Sequence, residues 1–282
     1  MSRTPASEVG AHNARVKAAR RLRKRAIRSR ERLFLAEGPQ AVREALGRPD
    51  SVVEVFATAD CAARNGELVE AADAQGVGWY AVSPVVLSSI AQTVTPQGVV
   101  AVCRFLDREI GGLLADREST AVPPLVVVCA DVRDPGNAGT VIRCADAAGA
   151  DGVVLAGSSV DPYNGKCVRA SAGSLFHVPI VAGVSVAEAV GELRRAGLTV
   201  VAADGSGDTD LHRTDDAGLF AGPTGWLFGN EAWGLPAEVT ALADAVVRVP
   251  IYGRAESLNL ATAAAVCLYT TTRAQRRVVE GD

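Results

Sequence analysis

The pattern of apolar and polar positions predicts two successive α/β domains. In the first, strand-like apolar runs alternate with helical periodicity, and the predicted elements lie at 34–47 (a short strand followed by a helix), 51–58, 62–76, 78–82, 84–91 and 98–105. Residues 106–124 contain two adjacent glycines, mixed charges and a Pro-Pro pair, which indicates a linker. Residues 33–105 are therefore predicted to form one domain and residues 125–282 another.

The second domain alternates strand and helix regularly. Strands are predicted at 125–130, 152–156, 178–181, 198–203, 225–229 and 246–250, and helices near 138–149, 165–172, 186–196, 236–243 and 257–277. These strands are apolar along most of their length, which is typical of a parallel sheet covered by helices on both faces. The predicted fold class is α/β. The acidic stretch 203–216 lacks the glycine and glutamate of a calcium loop and is interpreted as a surface loop.

Three loops follow predicted strands and carry unusual residues, namely DVRDPGNAG (131–139), GNEAWGLP (229–236) and PIYGRAESLN (250–259). In parallel α/β sheets, ligands bind at the carboxyl ends of the strands. The three loops are therefore the candidates for a functional site.

Polar residues in and after the first loop have a structural and a functional interpretation. Arg143 interrupts AGTVIRCADAAGA, an otherwise small and apolar helix, so it either pairs with a carboxylate or meets a phosphate or hydroxyl oxygen. Asn137 lies where it could cap the same helix. Both interpretations stay open on the residues alone.

The other two loops are equally ambiguous. Gly229 would let a flat ligand approach the backbone, and Glu231 is either a helix-start carboxylate or a partner for Arg143. Ser257 could cap the final helix. Asn259 is a poor choice for a first helical turn on propensity alone.

Charge is concentrated in one amino-terminal segment, which lies within the predicted basic region 1–32. Residues 15–32 hold ten Lys/Arg and one Asp/Glu, whereas the rest of the 282-residue chain holds 19 and 31, and the net charge is −3. A basic segment on an acidic protein favours a polyanionic partner such as nucleic acid over a merely solvated helix face.

The cysteines, the histidines and the apolar runs indicate whether disulfides, metal sites or membrane segments are to be expected. The six cysteines are scattered without a CxxC pair, which indicates reduced thiols, and His12, His177 and His212 lack ligand spacing, so we expect no metal. No signal peptide and no run of membrane-spanning length is visible, so we expect a cytoplasmic protein without membrane contact.

Together the loops resemble a known family. DPGNAGTVIR (134–143), LFGNEAWGL (227–235) and VPIYGRAESLNLATA (249–263) resemble the three motifs of the SpoU/TrmH family of RNA ribose 2′-O-methyltransferases, within the SPOUT superfamily. DPYNGKCVRASAGSLFHVPI (161–180) is also similar to this family. FLAEGPQAVREAL (34–46) resembles the ribosomal-protein-like RNA-binding domain that precedes the catalytic domain in several members.

The resemblance implies a fold and a cofactor that the alternation of strands and helices does not. It implies that the carboxyl-terminal domain forms a trefoil knot whose loops bind S-adenosylmethionine. It also implies a homodimer in which two subunits complete the active site. Carried over by motif, the cofactor contacts are Ala203, Gly229, Val249, Ile251 and Leu258.

The resemblance also implies catalytic residues. It puts Arg143 at the ribose hydroxyl, with Asn137, Glu231, Ser257 and Asn259 around it. A guanidinium rarely gives up its proton, so we expect Arg143 to orient the hydroxyl and stabilise developing negative charge rather than to act as a base. No metal is required.

The substrate implied is RNA, with 23S ribosomal RNA favoured by the ribosomal-protein-like first domain. The composition suggests an actinomycete enzyme, and some such enzymes confer resistance to ribosome-directed antibiotics, so resistance is a further expectation. Two alternatives stay open: a tRNA 2′-O-methyltransferase and a non-catalytic RNA-binding protein. A nucleotide-dependent dehydrogenase is disfavoured because DPGNAGTVIR is not a GxGxxG turn.

Overall fold

The computed structural model describes residues 8–115, 117, 120–230 and 232–281. Their contacts divide the chain into two compact units. Unit 1 comprises the chain up to Leu106 together with Tyr163–His177. Unit 2 comprises Asp107–Pro162 and the chain from Val178 onward.

The described residues form eleven strands and twelve α-helices. The strands are β1 Leu33–Glu37, β2 Val52–Ala57, β3 Gly78–Ala81, β4 Val99–Arg104, β5 Leu125–Ala130, β6 Gly152–Ala156, β7 Ile180–Ala182, β8 Thr199–Ala203, β9 Thr209–Asp210, β10 Thr224–Phe228 and β11 Ala245–Arg248. The helices are α1 Ala14–Arg21, α2 Arg25–Glu31, α3 Pro39–Gly47, α4 Ala59–Arg64, α5 Gly66–Ala74, α6 Pro84–Ile90, α7 Pro135–Ala148, α8 Gly165–Ala170, α9 Val186–Arg195, α10 Leu211–Asp216, α11 Ala237–Thr240 and α12 Leu260–Glu280.

Unit 1 is built on a four-stranded sheet in the order β1-β4-β2-β3. β4 is antiparallel to both of its neighbours, whereas β2 and β3 are parallel. Val16, Ala19 and Leu22, in and directly after α1, pack into the same core cluster as Phe56 and Leu87. The basic amino-terminal segment is therefore anchored to the domain by an apolar face.

The segment Tyr163–His177 packs in unit 1, although it lies inside the predicted range 125–282. The Tyr163 ring stacks on Phe105 with 3.8 Å between ring centroids, and its hydroxyl accepts a hydrogen bond from the Leu106 N–H at 2.7 Å. The order of elements along the sequence does not show that Tyr163 packs on Phe105 and so holds this segment in unit 1.

The stretch 106–124 was predicted to be a linker, but its contacts place Asp107 and the residues after it in unit 2. The Arg108 N–H donates to the Ile180 carbonyl at 2.8 Å. Leu113 is buried in the unit 2 core beside Gly152, where an added methyl group would lie 2.5 Å from the Leu113 side chain.

Unit 2 is built on a seven-stranded sheet in the order β7-β6-β5-β10-β8-β11-β9, and every pair is parallel. Leu227 of β10 joins the core cluster that contains Val190 and Leu193 of α9. The neighbouring Trp226 donates from Nε1 to Thr271 Oγ1 of α12 at 2.9 Å. Because successive side chains of a strand point to opposite faces, helices cover both faces of the sheet. The predicted α/β class with a parallel sheet is confirmed, while the knot stays a prediction.

Two local predictions were wrong. The stretch 203–216 is not a loop throughout, since it contains β9 and α10, and Asp210 caps α10 by accepting from the His212 and Arg213 N–H groups. The final helix begins at Leu260 rather than at 257. None of the described helices combines the length and apolar character that crossing a membrane requires.

Candidate active site

The carboxyl ends of four adjacent strands meet at one edge of the unit 2 sheet. In the register of the sheet, Phe228 of β10 lies beside Cys129 of β5 and Ala203 of β8, and Ala203 lies beside Val247 of β11. The loops that follow these strands therefore start at the same level. This is the edge at which parallel α/β sheets bind ligands.

A cavity of about 500 Å³ opens at this edge. It is lined by all five residues predicted to contact the cofactor and by two of the predicted catalytic residues: Ala203, Gly229, Val249, Ile251, Leu258, Ser257 and Asn259. The structure thus brings together residues that are up to 56 positions apart, from Ala203 to Asn259. Its mixed wall of aliphatic side chains, glycine backbone and a few polar groups is typical of a small-molecule site.

A tight hairpin is closed by Asn230 and Gly234, and both residues line one wall of the cavity together with Ala232. Asn230 and Gly234 exchange backbone hydrogen bonds of 3.0 and 2.9 Å. A Cβ atom at Gly229 would lie 2.4 Å from the Gly234 carbonyl carbon, so only glycine fits there. Gly229 lies on the cavity wall, so its contact with a ligand stays a prediction. The structure adds a second reason for glycine, because the returning backbone of the hairpin passes close to it.

Asn230 holds the hairpin to the loop after β5, a role that sequence analysis missed. Its side chain is buried, donates from Nδ2 to the Asp131 carbonyl at 2.7 Å and accepts from the Ala232 N–H at 2.8 Å. Asn230 stands between Gly229 and Glu231 in the motif, so the sequence marks it as part of the site. The sequence does not show that its partner is the Asp131 carbonyl in the loop after β5.

Asn137 and Asn259 meet across two helix amino termini. Asn259 caps α12 by accepting from the Ala261 N–H at 2.9 Å, and its Nδ2 donates to Asn137 Oδ1 at 3.0 Å. The cap of α7 is Asp134, which accepts from the Asn137 N–H. Asn259 therefore lies before the first turn of α12, where asparagine is favoured, and neither Asn137 nor Ser257 serves as the helix cap.

Asp204 is a second lining residue that sequence analysis missed. Burial disfavours the charged form of its carboxyl group, but hydrogen bonds from the Ser206 side chain and backbone and from the Leu235 N–H outweigh it, so the pKa of Asp204 is lowered. A carboxylate is thereby held ionised on the cavity wall. It can accept hydrogen bonds or face a positive charge on a ligand.

Of the other three predicted catalytic residues, Asn137 does not itself line the cavity but is bonded to Asn259, which does. Arg143 lies exposed on α7, and no described residue forms a hydrogen bond or an ion pair with its side chain. Glu231 lies outside the described residues. In the part of the chain that the structure describes, no three His, Cys, Asp or Glu side chains are grouped as metal ligands would be.

Comparisons with known proteins agree with this geometry. Residues 124–269 match the SpoU rRNA Methylase family, and residues 13–101 match the MRM3-like substrate binding domain. The chain belongs to the SpoU rRNA methylase family.

Named relatives cover most of the chain. The 23S rRNA (guanosine(2553)-2′-O)-methyltransferase RlmP of Bacillus subtilis is 34% identical over 92% of this chain and 96% of its own length. The 23S rRNA (uridine(2479)-2′-O)-methyltransferase of Streptomyces viridochromogenes is 43% identical over 49% of each chain.

Solved structures are similar over nearly the whole length. The AdoMet-bound rRNA methyltransferase from Sinorhizobium meliloti has 34% identity and a TM-score of 0.80, covering 95% of this chain and 97% of that one. The SpoU methyltransferase AviRb from S. viridochromogenes, in complex with AdoMet, has 32% identity and a TM-score of 0.78, covering 95% and 99%.

The cavity has the groups that S-adenosylmethionine needs. Val249, Ile251 and Leu258 supply an apolar surface for an adenine ring, while the backbone of the glycine-containing loops supplies hydrogen-bonding groups. Asp204 supplies negative charge for a cofactor that carries a sulfonium and an ammonium group. The lining residues therefore fit this cofactor.

The hairpin wall gives a direct test. Gly229→Ala should lower the unfolding temperature and abolish S-adenosylmethionine binding, because the added methyl group collides with the Gly234 backbone. Such overpacking costs about 1–3 kcal/mol or more. Calorimetry of unfolding and of cofactor binding would measure both effects.

Gly191→Ala in α9 is the matched control, because nothing lies within 4 Å of its added methyl group. We expect the control to keep the affinity of the wild-type protein and to unfold at the same or a slightly higher temperature, because alanine is favoured over glycine inside a helix. If Gly229→Ala also kept the wild-type affinity and unfolding temperature, the hairpin would not be the rigid wall described above.

Proposed function

We propose that the protein transfers a methyl group from S-adenosylmethionine to a ribose 2′-hydroxyl of 23S rRNA in the cytoplasm. The observation that carries the proposal is the cavity at the carboxyl ends of β8, β10 and β11, which gathers the predicted cofactor contacts in a member of the SpoU rRNA methylase family. The relatives named as 23S rRNA 2′-O-methyltransferases support the choice of RNA.

Methyl transfer depends more on aligning the ribose oxygen with the methyl group than on activating the methyl group. When bound, the cofactor would supply an electrophilic methyl group: the ribose oxygen would bond to that carbon as the carbon–sulfur bond breaks, with S-adenosylhomocysteine as the leaving group and the hydroxyl proton passing to water. Asn137 and Asn259, locked to each other beside the cavity, provide fixed polar groups near its wall. A positioned donor such as Arg143 would orient the hydroxyl and stabilise negative charge developing on oxygen.

The principal alternatives are methylation of tRNA and RNA binding without catalysis. The second is disfavoured because binding alone leaves a cavity with a carboxylate and aliphatic walls without a role. Resistance to a ribosome-directed antibiotic depends on which nucleotide is methylated and stays a prediction.

Transfer of labelled methyl from S-adenosylmethionine tests the proposal and Arg143 together. We expect incorporation into unmodified 23S rRNA and little into tRNA. Arg143→Ala should reduce transfer by about 100-fold or more, the scale of losing one transition-state donor, while calorimetric affinity for the cofactor is retained.

Arg143→Lys separates charge from shape, because lysine keeps the charge but loses the planar fork. We expect lysine to restore little activity. Arg195→Gln, an exposed arginine on α9 paired with Glu192, is the matched control and should be neutral. Equal transfer by wild type and Arg143→Ala would show that Arg143 does not take part in catalysis. Labelling of tRNA alone would show that tRNA, and not 23S rRNA, is the substrate.

The basic segment divides into structural and exposed cations. Arg28 is buried and donates to the Leu22 and Arg23 carbonyls, Arg20 donates to Ser89, and Arg15 pairs with Glu54 at 2.9 Å. A second set is exposed and forms no side-chain hydrogen bond or ion pair with a described residue; we call it the basic cluster, and it comprises Lys17, Arg21, Arg23, Lys24 and Arg25. These five side chains are free to contact phosphates.

Neutralising the basic cluster should weaken RNA binding and flatten its salt dependence. Five lost phosphate contacts would lower the slope of log affinity against log salt by up to about 3.5, from about 0.7 per contact on single strands. Deleting residues 1–32 is a poorer test, since it removes Val16, Ala19 and Leu22 from the core. Filter binding over a range of salt concentrations would measure the slope of the five-glutamine variant.

Cofactor affinity should not change in that variant. Arg64→Gln with Arg195→Gln is the control, because both arginines are exposed but already ion-paired. An unchanged slope in the five-glutamine variant would mean that the basic cluster does not bind RNA.

A homodimer is part of the proposal. Thr262, Val266, Tyr269 and Arg273 follow each other at spacings of three and four on the exposed side of α12, with Tyr269 55% exposed. Tyr269 donates to the Ala147 carbonyl of α7, and Arg143 lies one turn before Ala147. A second copy bound along this stripe would cover its apolar residues and bring Arg143 to the subunit boundary.

Sedimentation should show a dimer at micromolar concentration. Val266→Glu with Tyr269→Glu should produce monomers with little activity, because two charges would be buried in the interface. Val94→Glu, at a fully exposed position in unit 1, is the control and should stay dimeric. An active wild-type monomer would overturn this part of the proposal.

A further inference from the structure

Trp233 stands at the tip of the Asn230–Gly234 hairpin and is 54% exposed. The backbone bonds between Asn230 and Gly234 and the bond from the Ala232 N–H to Asn230 Oδ1 fix the backbone on either side of it. An exposed indole on a rigid support contributes little to the folding core. An exposed aromatic ring on a rigid support has the form of a stacking platform for a nucleobase.

Arg133 lies against the indole. Its guanidinium carbon is 5.2 Å from the ring centroid, within the range of a cation–π interaction. Arg133 belongs to the loop after β5, and the bond from Asn230 to the Asp131 carbonyl ties that loop to the hairpin. The two side chains are therefore held next to each other by the backbone that supports them.

The pair lies at the rim of the cofactor cavity. Ala232 and Gly234, the neighbours of Trp233, both line the cavity, and so does Asn230. An RNA nucleotide whose 2′-oxygen reaches a methyl group held in this cavity would have its base and its phosphates near the mouth of the cavity, where this rim lies. The indole of Trp233 offers a flat π surface on which a base can stack, and the adjacent guanidinium of Arg133 offers a positive charge for the phosphate next to that base.

We propose that Trp233 stacks on a nucleobase of the substrate and that Arg133 binds the neighbouring phosphate, so that the site takes an unpaired nucleotide. This inference rests on the proposed function. Stacking on an aromatic side chain requires a base whose face is open, which a nucleotide in a loop or bulge provides and a base-paired one does not. The substrate class is therefore a ribose in a single-stranded segment of the RNA.

Two substitutions of similar bulk separate stacking from packing. Trp233→Phe keeps a π face, whereas Trp233→Leu keeps only apolar bulk. Loss of base stacking costs about 5- to 100-fold, so kcat/KM for RNA should fall by that factor in Trp233→Leu and by only about threefold in Trp233→Phe. Arg133→Met should lower kcat/KM by about 3- to 10-fold. The calorimetric Kd for S-adenosylmethionine should change less than about twofold in all three.

Fluorescence gives a readout that needs no catalysis. A short single-stranded RNA should quench the tryptophan emission of the wild-type protein, and its full duplex should not. The part of the quenching that depends on Trp233 should be lost in Trp233→Phe. Trp226 is fully buried and cannot stack on a base, and half-buried Trp79 of unit 1 is present in both proteins, so the variant supplies the baseline.

The results of these experiments distinguish failure of the proposed function from failure of the stacking inference. If the wild-type protein transfers no methyl group, the proposed function fails, while quenching and RNA affinity still test the stacking. If the wild-type protein is active and Trp233→Leu has the same kcat/KM, the inference is wrong. If Trp233→Leu and Trp233→Phe both sediment as monomers, the indole belongs to a subunit interface and the inference is equally overturned.

Discussion

The parallel register of β5, β10, β8 and β11 is the constraint on which the site depends. Because these strands are adjacent and point the same way, the loops after them start from one edge of the sheet. The close approach of Gly229 to Gly234 then folds one loop into a rigid wall, and Asn230 ties that wall to the loop after β5. The cavity, the Asn137–Asn259 pair and Trp233 are all positioned relative to this edge.

Much of the fold could be predicted from the sequence because most of its strands are apolar along most of their length. β5 and β6 begin and end at the predicted residues. β9 was missed because it has only two residues, and α10 was missed because its sequence, LHRTDD, has a single apolar residue and so shows no apolar periodicity. The start of α12 was placed too early because the cap is Asn259 and not Ser257, a distinction that the hydrogen bonds make and propensity does not.

The site could be predicted as a set of loops and cofactor contacts, but its internal bonds could not. Ala203, Gly229, Val249 and Ile251 line one cavity because each lies at or shortly after a strand end, which the sequence shows. Leu258 joins them from the segment just before α12. Asn230 joins Asp131 across 99 residues, and Asp204 is ionised by neighbours that are assembled only on folding. The packing of Tyr163–His177 in unit 1 depends likewise on Phe105, which precedes Tyr163 by 58 positions.

The position of the transferred methyl group tests the account most directly. Nucleoside analysis of 23S rRNA incubated with the protein and S-adenosylmethionine, combined with alkaline hydrolysis, distinguishes ribose methylation from base methylation, because a 2′-O-methyl group protects the adjacent phosphodiester bond. The account predicts a single alkali-resistant linkage, at an unpaired nucleotide, that is absent when the cofactor is omitted. A methyl group found on a base would contradict it.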